Sequence, residues 1–306
     1  MKKEACENEK KIASKGSNVV LEKSMQGVFF IAACTSVLAV ALICIFLFAN
    51  GLPAMKEIGF VKFLTGTVWR PNNDLYGIFP MIVGSIYITA GAIVFGVPIG
   101  ILTAVFMAKY CPKVIYKPLK SATELLAGIP SVIYGFFGLV VLVPFIRDTG
   151  RSMGFSGNGS SILTASLLLG MMILPTIIGL TESAIRAVPD QYYEGSLALG
   201  ATHERSIFMV IIPAAKSGVI AGIVLGIGRA IGETMAVIMV AGNQARMPSG
   251  ILRGIRTMTA NIVIEMGYAT GLHREALIAT GVVLFVFILI INFSVALLNR
   301  RSGNDK

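Results

Sequence analysis

The chain has 306 residues, of which 55% are apolar and only 14% are charged, and its formal net charge is +10. About a quarter of the residues in soluble domains are charged, so this composition excludes an ordinary soluble protein and indicates an integral membrane protein. The positive charge does not indicate a nucleic-acid partner, because the cations collect in alternate loops between apolar runs.

The chain begins with a polar, lysine-rich segment, 1–25, which precedes the first apolar run. That run is longer than the apolar region of a signal peptide and lacks a small-residue cleavage site, so it predicts an uncleaved membrane helix. Six apolar runs reach the length of about 20 residues that a spanning helix needs. These predicted spans are 26–50, 81–108, 124–146, 160–185, 214–242 and 275–298. An outer loop at 51–80, a transmembrane core at 81–298 and a C-terminal tail at 299–306 complete the predicted organisation.

The distribution of lysine and arginine predicts the orientation of these spans. Of the 26 cations, 16 fall in the two terminal tails and in alternate loops with their span ends, nine fall in the remaining loops, and Arg229 alone lies deep within a span. Because the cytoplasmic side carries the excess of Lys and Arg, both termini and the segment 186–213 are predicted to be cytoplasmic.

The middle of the predicted fifth span contains two charged residues, Arg229 and Glu233. A charge inside a membrane is costly, so it marks a functional site by default. At about 100° per residue, both charges fall on one stripe of the helix. Three glycines at i, i+4 spacing share that stripe and are predicted to let another helix approach closely: Gly218, Gly222 and Gly226.

Two interpretations of this stripe remain open. Arg229 and Glu233 could neutralise each other as an i,i+4 pair with a purely structural role. Alternatively, the stripe lines an anion path, in which the arginine offers its fork of donors to oxyanion atoms and the carboxylate holds it in place. Thr234, which follows the carboxylate, is a further candidate for that path.

The predicted third span is interrupted at Pro130, which is expected to kink the helix. Ser131 and Tyr134 follow it and could offer hydroxyl groups to a hydrated cavity. An ordinary structural kink is the alternative interpretation.

The segment 186–213 connects two predicted spans. Pro189 and Asp190 predict a break followed by a short helix with Asp190 as its cap, running to about Ala198. Gly200 is expected to end that helix, and Pro213 to set the start of the next span. Such a helix could transmit a push between two spans, or the segment could be an ordinary loop.

Enzymatic functions find little support in the sequence. The run 226–234 superficially resembles a phosphate loop, but Glu233 stands where a lysine would be needed. His203 and His273 lack the partners of a zinc site and are interpreted as solvated, so no catalytic residue, metal or cofactor is expected. A passive channel would have no use for a helix that transmits a push, as the segment 186–213 could. The arginines of the last outer loop are also interpreted as mostly solvated: Arg246, Arg253 and Arg256.

The segment 186–213 resembles the loop by which permeases of ABC importers engage their ATPases. That loop has a glutamate followed by two small residues, a glycine, and a proline after two aliphatic residues. This chain matches the pattern at Glu194, Gly200 and Pro213, with aliphatic residues at Val210 and Ile212 where the family has Ile and Leu. Gly195 and Ser196 replace the two alanines of the family and keep both positions small. The runs 129–135 and 228–237, and the segment around Trp69, resemble phosphate-specific permeases of the PstC type. The resemblance covers about residue 50 to the end of the chain.

The resemblance implies an all-α membrane protein of six transmembrane helices with the type I ABC importer permease fold and both termini in the cytoplasm. It implies a multi-pass permease subunit in the lipid of a bacterial cytoplasmic (inner) membrane, which moves inorganic phosphate by alternating access. It further implies a second permease of the PstA type, two ATPases of the PstB type and an extracytoplasmic phosphate-binding protein of the PstS type. The alternatives are a permease for sulfate or molybdate, and a membrane protein that senses phosphate without moving it.

Overall fold

The computed structural model describes residues 2–155 and 157–303, with side chains described for 22–155 and 157–294. It contains two compact units, Met1–Asn50 and Gly51–Lys306. The first unit consists of helix α1 (Lys2–Ile58), whose last residues belong to the second unit. Its described apolar side chains are almost all exposed, as expected of a helix that faces lipid. The helix extends beyond the predicted span, 26–50, at both ends.

The second unit is built from helices with one small hairpin. Its helices are α2 (Phe60–Thr65), α3 (Phe79–Val105), α4 (Lys113–Gly128), α5 (Ser131–Phe137), α6 (Val143–Ser152), α7 (Ile162–Arg186), α8 (Asp190–Ala198), α9 (His203–Ser206), α10 (Ile212–Ala214), α11 (Lys216–Gly232), α12 (Met235–Val240), α13 (Met258–Met266) and α14 (Gly271–Gly303). Three π-helical turns, Phe106–Tyr110, Gly138–Leu142 and Ile207–Ile211, extend or join neighbouring helices.

The hairpin interrupts the predicted outer loop. Strand β1 (Trp69–Arg70) pairs antiparallel with β2 (Leu75–Tyr76), and Trp69 lies opposite Tyr76. A 3-10 turn connects the strands and ends at Asp74, which adopts the left-handed conformation (φ 54°) that aspartate tolerates better than most residues. The hairpin therefore holds the tryptophan in a fixed, buried position.

Five helical segments of the described chain are long and apolar enough to cross a membrane. A sixth span results if the bent pair His203–Ala214 and Lys216–Gly232, which meet at 69°, counts as one. The second, fourth and sixth predicted spans agree with α3, α7 and α14 to within a few residues at most ends.

The third and fifth spans differ from the prediction. The third begins at Ser131 rather than at 124, because α4 ends at Gly128 and Pro130 stands between two helices. Pro130 is therefore not a kink inside a helix. The fifth, predicted as one helix over 214–242, ends at Gly232 and resumes as α12 after two non-helical residues.

Helix α7 is the centre of the buried core. It is capped at its start by Ser161, whose hydroxyl accepts a hydrogen bond from the backbone N–H of Thr164 (3.3 Å). Helix α3 packs closely along it, since a Cβ atom on Gly96 would lie 2.9 Å from the carbonyl oxygen of Gly170. The buried side chains of α7 contact those of α5, α11 and α12 in one cluster, which includes Tyr134 and Ala230. The core thus brings the candidate third-span and fifth-span residues to one helix.

Candidate functional site

The fifth span is broken at Glu233 and Thr234. Glu233 has an extended backbone (ψ 133°), and its carboxylate accepts a hydrogen bond from the N–H of Ala236 (3.2 Å) in the first turn of α12. Its backbone carbonyl accepts a hydrogen bond from the hydroxyl of Thr259 (3.0 Å), and the hydroxyl of Thr234 donates to the carbonyl of Gly232 (3.3 Å). Backbone groups freed by the break are thus partly satisfied by neighbouring residues, as a broken span requires.

The predicted pairing of Arg229 with Glu233 is wrong. The two residues lie on opposite sides of the break, and in the described part of the chain neither belongs to an ion pair. The guanidinium of Arg229 instead donates a long hydrogen bond to the hydroxyl of Thr176 on α7 (3.5 Å). The carboxylate therefore does not hold the arginine, and both are half-buried.

The glycine stripe of α11 faces α7. A Cβ atom on Gly222 would lie 3.2 Å from Cβ of Leu180, one on Gly226 would lie 3.2 Å from Cγ1 of Ile177, and one on Gly218 would collide with Ala184. The close helix approach predicted from these glycines is therefore made within this chain, to its own fourth span.

We expect Gly222→Leu to destabilise the protein, because the four added side-chain carbons would press α11 away from α7. Overpacking of this kind costs about 1–3 kcal/mol. The measurement is the thermal unfolding midpoint of the protein purified in detergent. Gly228→Leu is the matched control, since a Cβ atom on Gly228 of the same helix meets nothing within 4 Å. Equal midpoints for both variants would contradict the packing role of the stripe.

The residues after Pro130 belong to the start of α5. The hydroxyl of Tyr134 donates to the carbonyl of Leu126 in the last turn of α4 (2.9 Å), so it closes the gap between the two helices. Ser131 is half-buried at the first position of α5. Helix α5 packs against α12, where a Cβ atom on Gly135 would lie 2.9 Å from Cα of Ala236. The break in the third span therefore lies beside the helix that follows the break in the fifth.

The segment 186–213 contains the short helix that the sequence predicts. Helix α8 runs from Asp190 to Ala198, although its cap position is Pro189 and no side chain caps it. Glu194 and Gly195 are exposed on this helix. Gly200 follows with φ +84°, a left-handed conformation that ends a helix and favours glycine. Pro213 is exposed in α10, which is followed by the 69° bend into α11.

His203 joins this helix to the rest of the segment and is not the solvated residue that the sequence suggested. Its Nδ1 atom lies 2.6 Å from the hydroxyl of Tyr193 on α8, and its ring contacts that of Tyr110 edge-on. These contacts fix α8 relative to α9 and to the end of the second span. The segment 186–213 is therefore held by contacts of its own side chains and is not a loose loop.

A buried carboxylate, Glu265, connects residues of the two loops that the sequence predicts on the outer side of the membrane. It accepts a hydrogen bond from Nε1 of Trp69 (2.8 Å), forms an ion pair with Arg256 (2.5 Å), and lies 2.8 Å from Nε2 of His273. Arg256 also donates to the backbone carbonyl of Asn243 (3.0 Å). His273 and Arg256 are thus mostly buried partners of a carboxylate, and the interpretation of both as solvated is wrong.

We expect Trp69→Phe to lower the stability of this outer network. The substitution keeps an aromatic ring against Tyr76 but removes the only donor that the indole gives to Glu265. Loss of one partner of a buried polar group costs about 1–3 kcal/mol. The unfolding midpoint in detergent measures the effect, and Tyr268→Phe is the control because that ring is exposed beside the same carboxylate. A loss no greater than that of the control would contradict the role of the indole N–H.

Sequence reasoning missed Thr176 and Glu265, and also Glu182, whose side chain is buried near the end of α7. Glu182 had a usable signal, since it is an acidic residue inside the predicted span 160–185, and the cost of a buried charge applies to it as it does to Arg229. Thr176 had none, because its partner Arg229 lies 53 positions away. For Glu265 the partner Trp69 lies 196 positions away, although Arg256 and His273 are near it in the sequence. Among the described residues, no group of three or more His, Cys, Asp or Glu side chains could hold a metal ion.

The chain is similar in sequence to known transport permeases. A family model described as "binding-protein-dependent transport system inner membrane component" matches residues 96–304. The chain is 38% identical over 281 residues to the probable ABC transporter permease protein YqgH of Bacillus subtilis, covering 88% of this chain and 90% of that protein. It is 36% identical over 265 residues to the phosphate transport system permease protein PstC of Mesorhizobium japonicum, covering 81% of each.

Solved structures support the fold. A chain of the inward-facing MetNI methionine ABC transporter matches with a TM-score of 0.58 at 20% identity, over 77% of this chain and 99% of that one. A chain of a bacterial ABC transporter for the polysaccharide alginate matches with a TM-score of 0.57 at 17% identity, over 87% of this chain and 95% of that one. The predicted type I importer permease fold is confirmed, and the chain is a multi-pass membrane protein.

Proposed function

We propose that this chain, which belongs to the family of binding-protein-dependent transport system inner membrane components, is the permease subunit of an ATP-driven importer of inorganic phosphate. Relatives named PstC support phosphate as the substrate. The chain is not an enzyme, and ATP hydrolysis belongs to a separate subunit. We place it in the cytoplasmic membrane of a bacterium with both termini inside.

The observation that carries the proposal is the guanidinium of Arg229. It lies within an apolar span, and its one recorded partner in the described chain is a neutral hydroxyl at 3.5 Å. A cation in this position costs free energy unless it faces water, protein or an anion. Its remaining N–H groups can donate to phosphate oxygens in the paired geometry that guanidinium favours.

The broken spans supply the surroundings of such a path. Non-helical backbone is tolerated at membrane depth where it is buried in protein or lines a hydrated cavity. The breaks at Pro130 and at Glu233–Thr234 are joined through the packing of α5 on α12. We infer that Ser131, Tyr134, Glu233 and Thr234 contribute to the path, with Glu233 acting through its backbone and its cap of α12 rather than as a partner of Arg229.

Helix α8 is the proposed docking element for the ATPase. Glu194 and Gly195 are exposed on it, and Leu199, the residue after its last turn, is 91% exposed. An apolar side chain so exposed next to a braced helix suits a protein interface. We propose a PstB-type ATPase dimer on this surface, a PstA-type permease as the second half of the path, and a PstS-type binding protein on the outer side.

The mechanism follows from this arrangement. Closure of the ATPases on ATP would move α8, and the bend at Ala215 would pass that movement to α11 and its arginine. An anion that enters a negative-inside cell moves against the membrane potential, at a cost of about 2.3 kcal/mol per charge per 100 mV, so an external energy source is required.

Uptake of radiolabelled phosphate tests the proposal. The chain would be expressed with its partner subunits in a cell that lacks its own phosphate importers, with parallel assays of labelled sulfate and molybdate. We expect phosphate uptake that requires an active ATPase. Uptake of sulfate or molybdate instead would assign another oxyanion, and background uptake of all three would favour a sensor.

A further inference from the structure

Glu182 is a buried carboxylate near the end of α7, and the proposed path does not include it. The residue is 1% exposed, yet three side chains donate hydrogen bonds to it. Its partners are the hydroxyl of Tyr116 (2.6 Å), Nζ of Lys120 (2.8 Å) and Nε of Arg186 (2.8 Å). The carboxylate fixes this cluster, because its loss would leave all three donors without their shared partner.

The three donors come from different parts of the chain. Tyr116 and Lys120 belong to α4, whereas Arg186 is the last residue of α7. Arg186 also donates to the carbonyl of Met107 at the end of the second span (2.9 Å), and its guanidinium lies 4.5 Å from the ring centroid of Tyr116. The hydrogen bond to the carboxylate raises the pKa of Lys120, so the lysine stays charged. The cluster therefore joins α4, α7 and the turn 106–110.

Helix α4 depends on this cluster for its position. None of its residues is fully buried. Apart from the cluster, Leu119 packs partly against the small buried group of Ala104, Met107 and Ile178. The opposite end of α4 provides the carbonyl of Leu126, which accepts the hydrogen bond of Tyr134. A displacement of α4 would therefore move Leu126 and, through this hydrogen bond, Tyr134 beside the break in the third span.

The cluster is also close in sequence to helix α8. Arg186 ends α7, and α8 begins at Asp190, four residues later. Movement of α8 would thus act on α7 next to Glu182, and the cluster would pass it to α4 and to Tyr134. We propose that Glu182 is a positioning residue that makes α4 move with the coupling segment. This inference rests on the proposed function, because it presupposes that α8 is moved by an ATPase.

Four variants of the reconstituted complex test it, with ATP hydrolysis and uptake of labelled phosphate measured in the same proteoliposomes. We expect Glu182→Gln to keep hydrolysis within about two-fold while uptake falls at least about ten-fold, since a neutral amide no longer holds two cations. Glu182→Asp should recover part of the uptake. Lys120→Gln should also lower uptake per ATP, whereas Lys117→Gln, an exposed lysine on the same helix, should not.

A distance measurement separates coupling from simple stability and does not require transport. Nitroxide labels at Val114 on α4 and Glu204 on α9, both exposed, report whether the two elements move together. We expect one narrow distance in the wild type with and without ATP, and a broad or nucleotide-dependent distance in Glu182→Gln. If Glu182→Gln fails to assemble, the same label distance is measured in Lys120→Gln and Lys117→Gln. We then expect a broad or nucleotide-dependent distance in Lys120→Gln and a narrow one in Lys117→Gln.

Two results would overturn the inference: an unchanged ratio of uptake to hydrolysis in Glu182→Gln, or equal label distances in Lys120→Gln and Lys117→Gln. Failure of the proposed function is distinct from these results. It would appear as a wild-type complex that hydrolyses ATP without moving phosphate, while the labels would still report on α4.

Discussion

Replacing Arg229 by glutamine is expected to abolish phosphate uptake while the complex still assembles and binds its ATPase. The glutamine is neutral and cannot offer the paired donors of a guanidinium to an oxyanion. Hydrogen bonds to charged groups contribute about 1.5–3 kcal/mol each, so loss of even one predicts a decrease of about ten-fold or more. Initial rates of labelled phosphate uptake, at equal amounts of complex, are the measurement.

The controls separate charge from geometry. Arg229→Lys keeps the positive charge but loses the planar fork, so we expect an intermediate rate. Thr176→Val removes the one recorded partner of the guanidinium and should have a smaller effect than Arg229→Gln. Arg274→Gln removes an exposed arginine of α14 and should leave uptake unchanged. Near-normal uptake by Arg229→Gln would exclude the anion-path role.

Replacing Gly200 by proline is expected to detach or uncouple the ATPase. Gly200 has φ +84°, whereas proline is fixed near −65°, so the chain leaving α8 must change direction. Gly200→Ala is a milder substitution at this position, because an alanine in the left-handed conformation destabilises the folded state by about 1–2 kcal/mol. Co-purification of the ATPase with the permease, and its rate of ATP hydrolysis, measure the result.

Gly195→Ala is a matched control for Gly200→Ala. A Cβ atom on either glycine meets nothing of this chain within 4 Å, so within the permease the two substitutions differ in backbone conformation alone. At the docking surface alanine is the residue that the family has at position 195, so Gly195→Ala is expected to keep the ATPase bound. Gly195 lies within α8, where alanine is more favourable than glycine by about 1 kcal/mol. Glu194→Lys, which reverses an exposed charge on the same helix, should weaken ATPase binding. A full complement of ATPase with normal turnover in Gly200→Pro and Glu194→Lys would remove the coupling role.

Much of the fold is encoded in local sequence. A run of about 20 apolar residues without a charge has few alternatives to a spanning helix, and α3, α7 and α14 follow such runs. The coupling helix was equally predictable, because Pro189 and Gly200 impose backbone conformations that start and end it. The resemblance at Glu194 then implies a function for the segment that its physical chemistry alone left open.

The fifth span shows where local reasoning fails. A helical period places Arg229 and Glu233 on one stripe, and only the break at Gly232 separates them. A hydrogen bond from the hydroxyl of Thr259 to the backbone carbonyl of Glu233 stabilises the break. No hydrophobic pattern near residue 233 reports a partner 26 positions away.

The amino-acid sequence by itself determined that this is a multi-pass membrane protein and where α3, α7, α8 and α14 lie, because hydrophobicity and turn chemistry act over short stretches of chain. Only the tertiary structure decided which charges are paired. Trp69 and Glu265 are 196 positions apart, and Lys120 and Glu182 are 62 apart. Such pairs form because a buried carboxylate must find donors wherever the packing of the helices brings them, and that packing is a property of the whole chain.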